Sequence, residues 1–196
     1  AMWSSVAIRS SFLVVLVAAW TVRIDAAELA RRCRGVEVSV RTLSWTDTEK
    51  LIGRQHGKVV LVDVWTTTCP TCRAHFPEFV ELQRRLGSRN LACISLNCDY
   101  DGIPGKPPKY YVKRVLEFLA DNRATGTNVL LSDPLLDFLN AADIGATPTY
   151  LLYGPDGKLL RQFDGSREEF QFTEVVQAVE SAISAVDKRR NTAASD

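Results

Sequence analysis

The chain has 196 residues, with 24 Lys and Arg against 23 Asp and Glu and a net charge of +1 at pH 7. This balance excludes the basic excess of proteins that bind the nucleic-acid backbone, and 46% apolar residues exclude a disordered chain. Five Cys are too few for a small disulfide-stapled scaffold, so their positions are more informative than their number. We therefore expect one soluble domain with additional terminal segments.

An apolar run near the N-terminus is typical of a secretory signal peptide. It covers residues 12–20, follows Arg9, and is followed by the small residues Ala26 and Ala27. Nine residues are well short of the roughly 20 that span a bilayer, so we predict cleavage near Ala27 and export to the periplasm or the extracellular space. An uncleaved membrane anchor is the alternative. We divide the chain into a signal peptide (1–26), a linker (27–35), a folded domain (36–187) and a flexible tail (188–196).

Hydrophobic patterns predict alternating strands and helices. The first half of the domain has predicted strands over 36–41, 58–65 and 91–97 and helices over 46–54 and 70–86. The second half has a loop over 101–109, a helix over 112–122, a strand over 128–131, a helix capped by Asp133 and started by Pro134, a hairpin over 149–163, and a final helix that begins at Ser166 with Glu169 in a capping box. This order predicts an α/β domain with a mixed sheet.

Candidate chemistry is concentrated in Cys69-Pro70-Thr71-Cys72, directly after a predicted buried strand and at the start of a predicted helix. Two thiols separated by two residues in a first helical turn can close a small disulfide ring. The free amides and positive dipole end of the helix favour a thiolate on the N-terminal Cys, so Cys69 is the expected attacking thiol. Pro70 suits the first helical position because the N–H that it lacks would have no partner there.

These residues resemble the thioredoxin superfamily, and most closely its exported TlpA/ResA-type thiol-disulfide oxidoreductases. The resemblance covers roughly residues 36–186 and rests on Val62-Asp63-Val64-Trp65 before the first Cys, Pro77 at the family's kinking Pro, Ala146-Thr147-Pro148-Thr149 at the cis-proline segment, and Gly165 before the last helix. It implies a thioredoxin-like fold, in which helices flank both faces of a central mixed sheet. The family's additional helix and strand would lie within residues 101–142.

The resemblance also implies roles for individual residues. Cys69 and Cys72 would be the redox pair, with no further cofactor and no metal. Asp63, buried beneath the pair, would have a raised pKa and take the proton of Cys72 during the second step of exchange. A cis Thr147–Pro148 bond would place a backbone edge against Cys69 for a substrate chain.

Two departures from the family bear on function. Pro70 and Thr71 replace the Gly-Pro pair of cytosolic thioredoxins, and this pair tunes the redox potential. We expect a reductase, because TlpA/ResA-type proteins mostly serve cytochrome c maturation or similar thiol delivery. Residues 66–68 lack the Trp that usually precedes the first Cys, so the partner surface should differ. Trp65 is expected in the core beneath the motif.

Alternatives to a catalytic dithiol remain open at this stage. One is a structural disulfide, and another is a metal site completed by His75, although two His in the chain and no second Cys pair at ligand spacing argue against a metal. Thr66 lies three residues before Cys69, as in the peroxiredoxin pattern, but Val62 occupies the position where that pattern needs Pro. The second functional class is a non-enzymatic copper- or partner-binding module on the same fold.

The remaining Cys and His are expected to be structural. Cys93 alternates within a buried strand and should be an inert small hydrophobic residue. Cys98 should be buried as well, with an auxiliary thiol as the alternative, because it lies at the sheet edge where the motif helix starts. His56 and His75 are expected in solvent.

The predicted partners follow from the chemistry. We expect a monomer that exchanges disulfides with protein thiols, with a membrane protein as a candidate electron donor. We expect no nucleic-acid partner.

Overall fold

A computed structural model describes residues 37–87 and 90–193. Its elements are β1 (Arg41–Leu43), α1 (Trp45–Gly53), β2 (Val59–Trp65), α2 (Pro70–Leu86), β3 (Leu91–Asn97), a 3₁₀ turn (Pro108–Tyr110), α3 (Val112–Asp121), β4 (Thr127–Leu131), α4 (Leu135–Ala141), β5 (Thr149–Tyr153), β6 (Leu159–Asp164) and α5 (Phe172–Ala193). The predicted signal peptide, the predicted linker and Cys33 lie outside the described residues. Between 37 and 193, the described helices include none long and apolar enough to cross a bilayer.

The strands form one mixed sheet in the order β1-β4-β3-β2-β5-β6. β2 pairs in parallel with β3 and antiparallel with β5, so Asp63 lies opposite both Ser95 and Tyr150. All seven residues of β2 are buried, as expected for a continuous apolar strand that is covered on both faces. Because β2, β3 and β4 run in the same direction, their C-terminal ends meet at one edge of the sheet.

Helices cover both faces of the sheet. On the face of Leu61 and Trp65, apolar residues of α2, α3 and α5 form one core cluster. On the opposite face, Ile52 of α1 and Phe138 of α4 pack against Val62 and the other even-numbered residues of β2. This confirms the predicted α/β architecture, and residues 101–142 contain α3, β4 and α4.

Helix α2 has the predicted bounds and carries the predicted motif at its start. Pro70 is its first residue and Pro77 lies inside it. Phe76, Phe79 and Leu82 are buried at helical spacing, which fixes the helix on the sheet. Packing thus holds the first turn of α2 directly above the C-terminal end of β2.

The first strand and the fourth helix differ from prediction. Of the strand predicted over 36–41, residue 36 lies outside the described residues and 37–40 are not in a strand; β1 is Arg41–Leu43, the residues that pair with β4. Helix α4 begins at Leu135, with Pro134 and not Asp133 at the capping position. The Asp133 carboxylate instead accepts a hydrogen bond of 2.6 Å from the backbone N–H of Trp45, at the start of α1.

The final helix begins later than predicted. It starts at Phe172 and not at Ser166, because the Ser166 hydroxyl donates to Asp164 Oδ1 at 2.7 Å and caps no helix. The capping contact is made further along, where Glu174 accepts a hydrogen bond of 2.9 Å from the N–H of Gln171.

The final helix also ends later than predicted. It continues to Ala193, so residues 188–193, which the sequence assigns to a flexible tail, are helical. Arg190 holds this last part against the domain by donating to Asn90 Oδ1 at 2.7 Å and to the Gly57 carbonyl at 2.8 Å.

Candidate active site

The two motif sulfurs lie at the N-terminus of α2. Cys69 is the capping residue, and its Sγ forms a disulfide with Cys72 across a Cα–Cα distance of 5.3 Å. The Cys72 N–H donates to Cys69 Sγ at 3.1 Å, and such an amide at a helix start favours a thiolate once the disulfide is reduced. Cys72 is 2% exposed, whereas Cys69 is half-buried between the exposed Thr68 and Pro70, so Cys69 is the more accessible sulfur.

The segment before β5 lies against Cys69. The Thr147 carbonyl oxygen is 3.6 Å from Cys69 Sγ, and the Thr147–Pro148 peptide bond is cis. Two hydrogen bonds fix this segment: Gly145 N–H donates to Asp164 Oδ2 at 2.7 Å, and the Thr149 hydroxyl donates to the Ala146 carbonyl at 2.7 Å. The structure therefore brings the motif and the proline segment together, as the resemblance implies.

Asp63 is buried on the sheet face that α2 covers. It is 1% exposed, and among the described residues its Oδ1 has no hydrogen-bond partner. Burial raises the pKa of this carboxyl well above its ordinary value, because removal from water disfavours the charged form. Side chains alternate along a strand, so Asp63 shares its face with Leu61 and Trp65, beneath the first turns of α2.

Trp65 belongs to the core, as predicted. Its side chain is fully buried between the rings of Phe76 and Phe118, at centroid distances of 4.8 and 4.7 Å. Its indole N–H donates to Ser95 Oγ at 2.8 Å. Trp65 therefore supports the floor of the site, while Pro70 and Thr71 are exposed at its surface.

Asp99 follows β3 at the same edge of the sheet and was not expected at the site from the sequence. Its buried carboxylate accepts hydrogen bonds from both the N–H and the hydroxyl of Thr67, in the loop that leads into Cys69, at 2.7 and 2.6 Å. The available signal was its position, two residues after the end of a strand predicted to lie beside the motif strand.

The sequence predicts His75 in solvent, and this prediction is wrong. It is half-buried on α2, 6.1 Å from the Phe172 ring centroid, and its Nδ1 is buried without a partner among the described residues. The reason is that the start of α5 covers this side of α2. His56 is exposed, as predicted. The described part of the chain contains no group of three or more His, Cys, Asp or Glu that could hold a metal ion.

The other two described Cys are buried free thiols. Cys93 is 6% exposed. Its pKa is raised to about 12, mainly because the thiol is buried and to a lesser extent because of the nearby Asp63 charge. Cys98 is 1% exposed; burial, then the charges of Asp99 and Asp63, raise its pKa well above the ordinary value. Both groups remain protonated at neutral pH and are poor nucleophiles.

We therefore expect a thiol-alkylating reagent to modify Cys69 in the native, reduced protein and to leave Cys93 and Cys98 unmodified. Residue-resolved mass spectrometry measures this, and the same treatment in denaturant, where all thiols should react, is the control. Modification of native Cys98 at a rate comparable to that of Cys69 would support the auxiliary-thiol alternative instead.

A match to a known protein family covers the residues of this site. The Redoxin family model matches residues 46–179, which include the motif, Asp63 and the proline segment. No curated protein sequence matches this chain.

Solved structures share the fold at low sequence identity. A secreted Mycobacterium tuberculosis disulfide oxidoreductase homologous to Escherichia coli DsbE is 16% identical over 65% of this chain and 84% of that one, with a TM-score of 0.51. The thioredoxin domain of a Bacteroides vulgatus thiol-disulfide oxidoreductase is 21% identical over 66% and 82%, with a TM-score of 0.51. A Chlorobium tepidum protein assigned as thiol:disulfide interchange protein DsbE is 25% identical over 68% and 82%, with a TM-score of 0.50.

The match to the family model covers more than half of the chain, and the structure has the thioredoxin-like fold with a Cys-x-x-Cys pair at the expected helix start. The chain belongs to the Redoxin family and is a thiol-disulfide oxidoreductase whose Cys-x-x-Cys pair is Cys69 and Cys72.

Proposed function

We propose that the protein is an exported protein-disulfide reductase in which Cys69 and Cys72 alternate between dithiol and disulfide. The observation that carries this proposal is the position of Cys69 Sγ: this half-buried residue places its sulfur between the Cys72 N–H at 3.1 Å and the Thr147 carbonyl at 3.6 Å. A sulfur stabilised on one side by a helix amide and bordered on the other by the Thr147 backbone is suited to attack an extended substrate chain that pairs with that backbone.

In the first step, the Cys69 thiolate attacks one sulfur of a substrate disulfide. The S–S bond of the substrate breaks, one substrate sulfur leaves as a thiolate that water protonates, and a mixed disulfide forms on Cys69. The backbone of Thr147, before the cis Pro148, would pair with the substrate chain and align the three sulfurs.

In the second step, the Cys72 thiol loses its proton and attacks Cys69 Sγ. The mixed disulfide breaks, the second substrate sulfur leaves as a thiolate, and the Cys69–Cys72 disulfide forms, so the substrate gains two electrons and the protein loses two. The ionised form of the buried Asp63 is suited to accept the Cys72 proton, because burial raises the pKa of this carboxyl and so gives its carboxylate a high proton affinity.

Export, direction and partners are also part of the proposal. The signal-like run over residues 12–20 supports export, whether that segment is cleaved or retained as an anchor. The resemblance to TlpA/ResA-type proteins supports reduction, as in cytochrome c maturation or general thiol delivery. We propose a monomer whose dithiol is regenerated by a membrane electron donor.

Insulin reduction tests the proposed activity. We expect the wild-type protein to reduce insulin disulfides with dithiothreitol as electron source, and Cys69→Ser to lose this activity, because it removes the attacking sulfur. Cys93→Ala is the matched control, since it removes a thiol that lies away from the disulfide, and it should retain turnover. Stoichiometric copper binding without insulin turnover would refute the proposal in favour of a copper-binding module.

A further inference from the structure

The buried carboxylate of Asp99 is the centre of a hydrogen-bond network beside the motif. The Asp99 side chain is fully buried, and it is paired with the guanidinium of Arg114. Oδ1 accepts from Thr67 N–H at 2.7 Å and Asn97 Nδ2 at 3.3 Å, and Oδ2 accepts from the Thr67 hydroxyl at 2.6 Å and Arg114 Nε at 2.6 Å. A buried carboxylate is costly unless it is paired and hydrogen-bonded, and this one has both forms of compensation.

Two of these four bonds go to Thr67, and therefore to the placement of Cys69. Residues 66–68 connect the end of β2 to the cap of α2, and the Cys69 N–H donates back to the Thr66 carbonyl at 3.3 Å. A connection of only three residues has little conformational freedom. A shift of Thr67 would displace Cys69 Sγ from the Cys72 N–H that faces it at 3.1 Å.

The cation of this cluster comes from α3, within residues 101–142. The Arg114 guanidinium lies over the Tyr111 ring, 4.7 Å from its centroid, and the Tyr111 hydroxyl donates to Asp101. Tyr111 is 2% exposed, whereas the Arg114 side chain is 43% exposed. A planar guanidinium that stacks on a fixed ring and bonds through Nε is held in one orientation, which a Lys ammonium would not reproduce.

We propose that Arg114 is a positioning residue that acts through Asp99 and Thr67 to hold Cys69 in its reactive geometry. This inference rests on the proposed function in that Cys69 is the attacking thiol. It gives residues 101–142 a role in the chemistry, because the contacts of α3 with Tyr111 and Asp99 set the reactivity of a sulfur on α2. Arg114 itself touches no reacting atom.

The test measures alkylation of reduced Cys69 by iodoacetamide over a range of pH, resolved by residue with mass spectrometry. We expect Arg114→Ala to slow this reaction about tenfold at neutral pH, because small misplacements of reacting groups have large kinetic effects. The midpoint of its pH–rate profile should move upward, since the thiolate loses part of its amide hydrogen bond. Lys113→Ala is the matched control: it removes the same charge from the preceding residue of α3, where the side chain is 87% exposed, and the rate should stay within about twofold.

Conservative variants separate positioning from general loosening of the fold. Thr67→Ser keeps the hydroxyl that bonds Asp99 and should react at the wild-type rate, whereas Thr67→Val should be slowed several-fold. Arg114→Lys should recover only part of the rate lost in Arg114→Ala. Combining Arg114→Ala with Asp99→Asn should slow alkylation no further than the slower single variant, because both act through one cluster.

The inference is wrong if Arg114→Ala reacts at the wild-type rate across the pH range, or if Lys113→Ala is slowed as much. Alkylation needs no protein substrate, so the two proposals fail separately. A wild-type protein that does not reduce insulin, combined with slowed alkylation in Arg114→Ala, would overturn the proposed function and keep the positioning role.

Discussion

Replacing Cys72 with Ser should trap substrate proteins as mixed disulfides on Cys69, whereas replacing Cys69 with Ser should trap none. In the proposed mechanism a substrate reaches the half-buried Cys69, whereas Cys72, at 2% exposure, attacks only the mixed disulfide on Cys69. Without Cys72 the mixed disulfide forms but its resolving nucleophile is missing, so we expect at least about tenfold more trapped complex than with Cys69→Ser. Non-reducing electrophoresis followed by mass spectrometry of the linked peptides measures the yield.

The same trapping experiment contains its own control. Cys93→Ala in the Cys72→Ser background should trap as much as Cys72→Ser alone, because Cys93 is a buried, protonated thiol. Equal trapping by Cys69→Ser and Cys72→Ser would show that the two sulfurs have no distinct roles.

Replacing Asp63 with Asn should stabilise the oxidised protein at neutral pH. The unfolded chain ionises this carboxyl near 3.8, and burial raises the folded-state pKa well above that value. Between these two values the folded state keeps a proton that the unfolded state has lost, so stability falls as pH rises and the penalty is absent below the unfolded pKa. Each pKa unit of difference between the folded and unfolded states corresponds to about 1.4 kcal/mol, so we expect Asp63→Asn to be more stable than the wild type at pH 7, by an amount that grows as pH rises toward the folded-state pKa.

Urea unfolding of the oxidised wild type and of Asp63→Asn, from pH 4 to pH 8, measures this difference. The two proteins should converge toward pH 4 and separate as pH rises. A difference that does not change with pH, or a variant less stable than the wild type at pH 7, would mean that Asp63 carries no ionisation penalty.

The same substitution should slow the second step of exchange and spare the first. Attack by Cys69 needs only its own thiolate, but Cys72 must lose a proton, and loss of a positioned proton acceptor costs about 100-fold in typical cases. Rapid acid quenching of the reaction with a disulfide peptide separates formation of the mixed disulfide from its decay. Slowed formation with normal decay would show that Asp63 acts on Cys69 and not on Cys72. Together the two results would show that Asp63 lowers the stability of the fold and speeds the second step, a trade-off between stability and activity that is common at active sites.

The main elements of the site could be predicted because each has a local signal. The apolar run of β2, the Cys pair at the helix start and the placement of Asp63 two residues before the end of that strand are all read from neighbouring residues. The proline segment was found through the family resemblance and lies against Cys69 in the structure.

The parts that could not be predicted depend on contacts between distant segments. Asp99 bonds both Thr67, before α2, and Arg114, on α3. No local sequence pattern at either residue predicts contact with the other. The last part of the final helix contacts the distant Gly57 through Arg190, and His75 is covered by the start of α5. Tertiary packing sets these features, so a local pattern does not contain them.

The reduction potential of the Cys69–Cys72 pair tests the proposed reductase most directly. Equilibration in dithiothreitol or glutathione buffers, with thiols quantified by residue, should give one reversible two-electron transition at about −270 mV, clearly more reducing than about −180 mV. Cys93 and Cys98 should remain thiols throughout. A potential of about −120 mV, typical of strong disulfide donors, would contradict a reductase. The absence of any reversible transition at Cys69 and Cys72 would contradict a redox role for the pair.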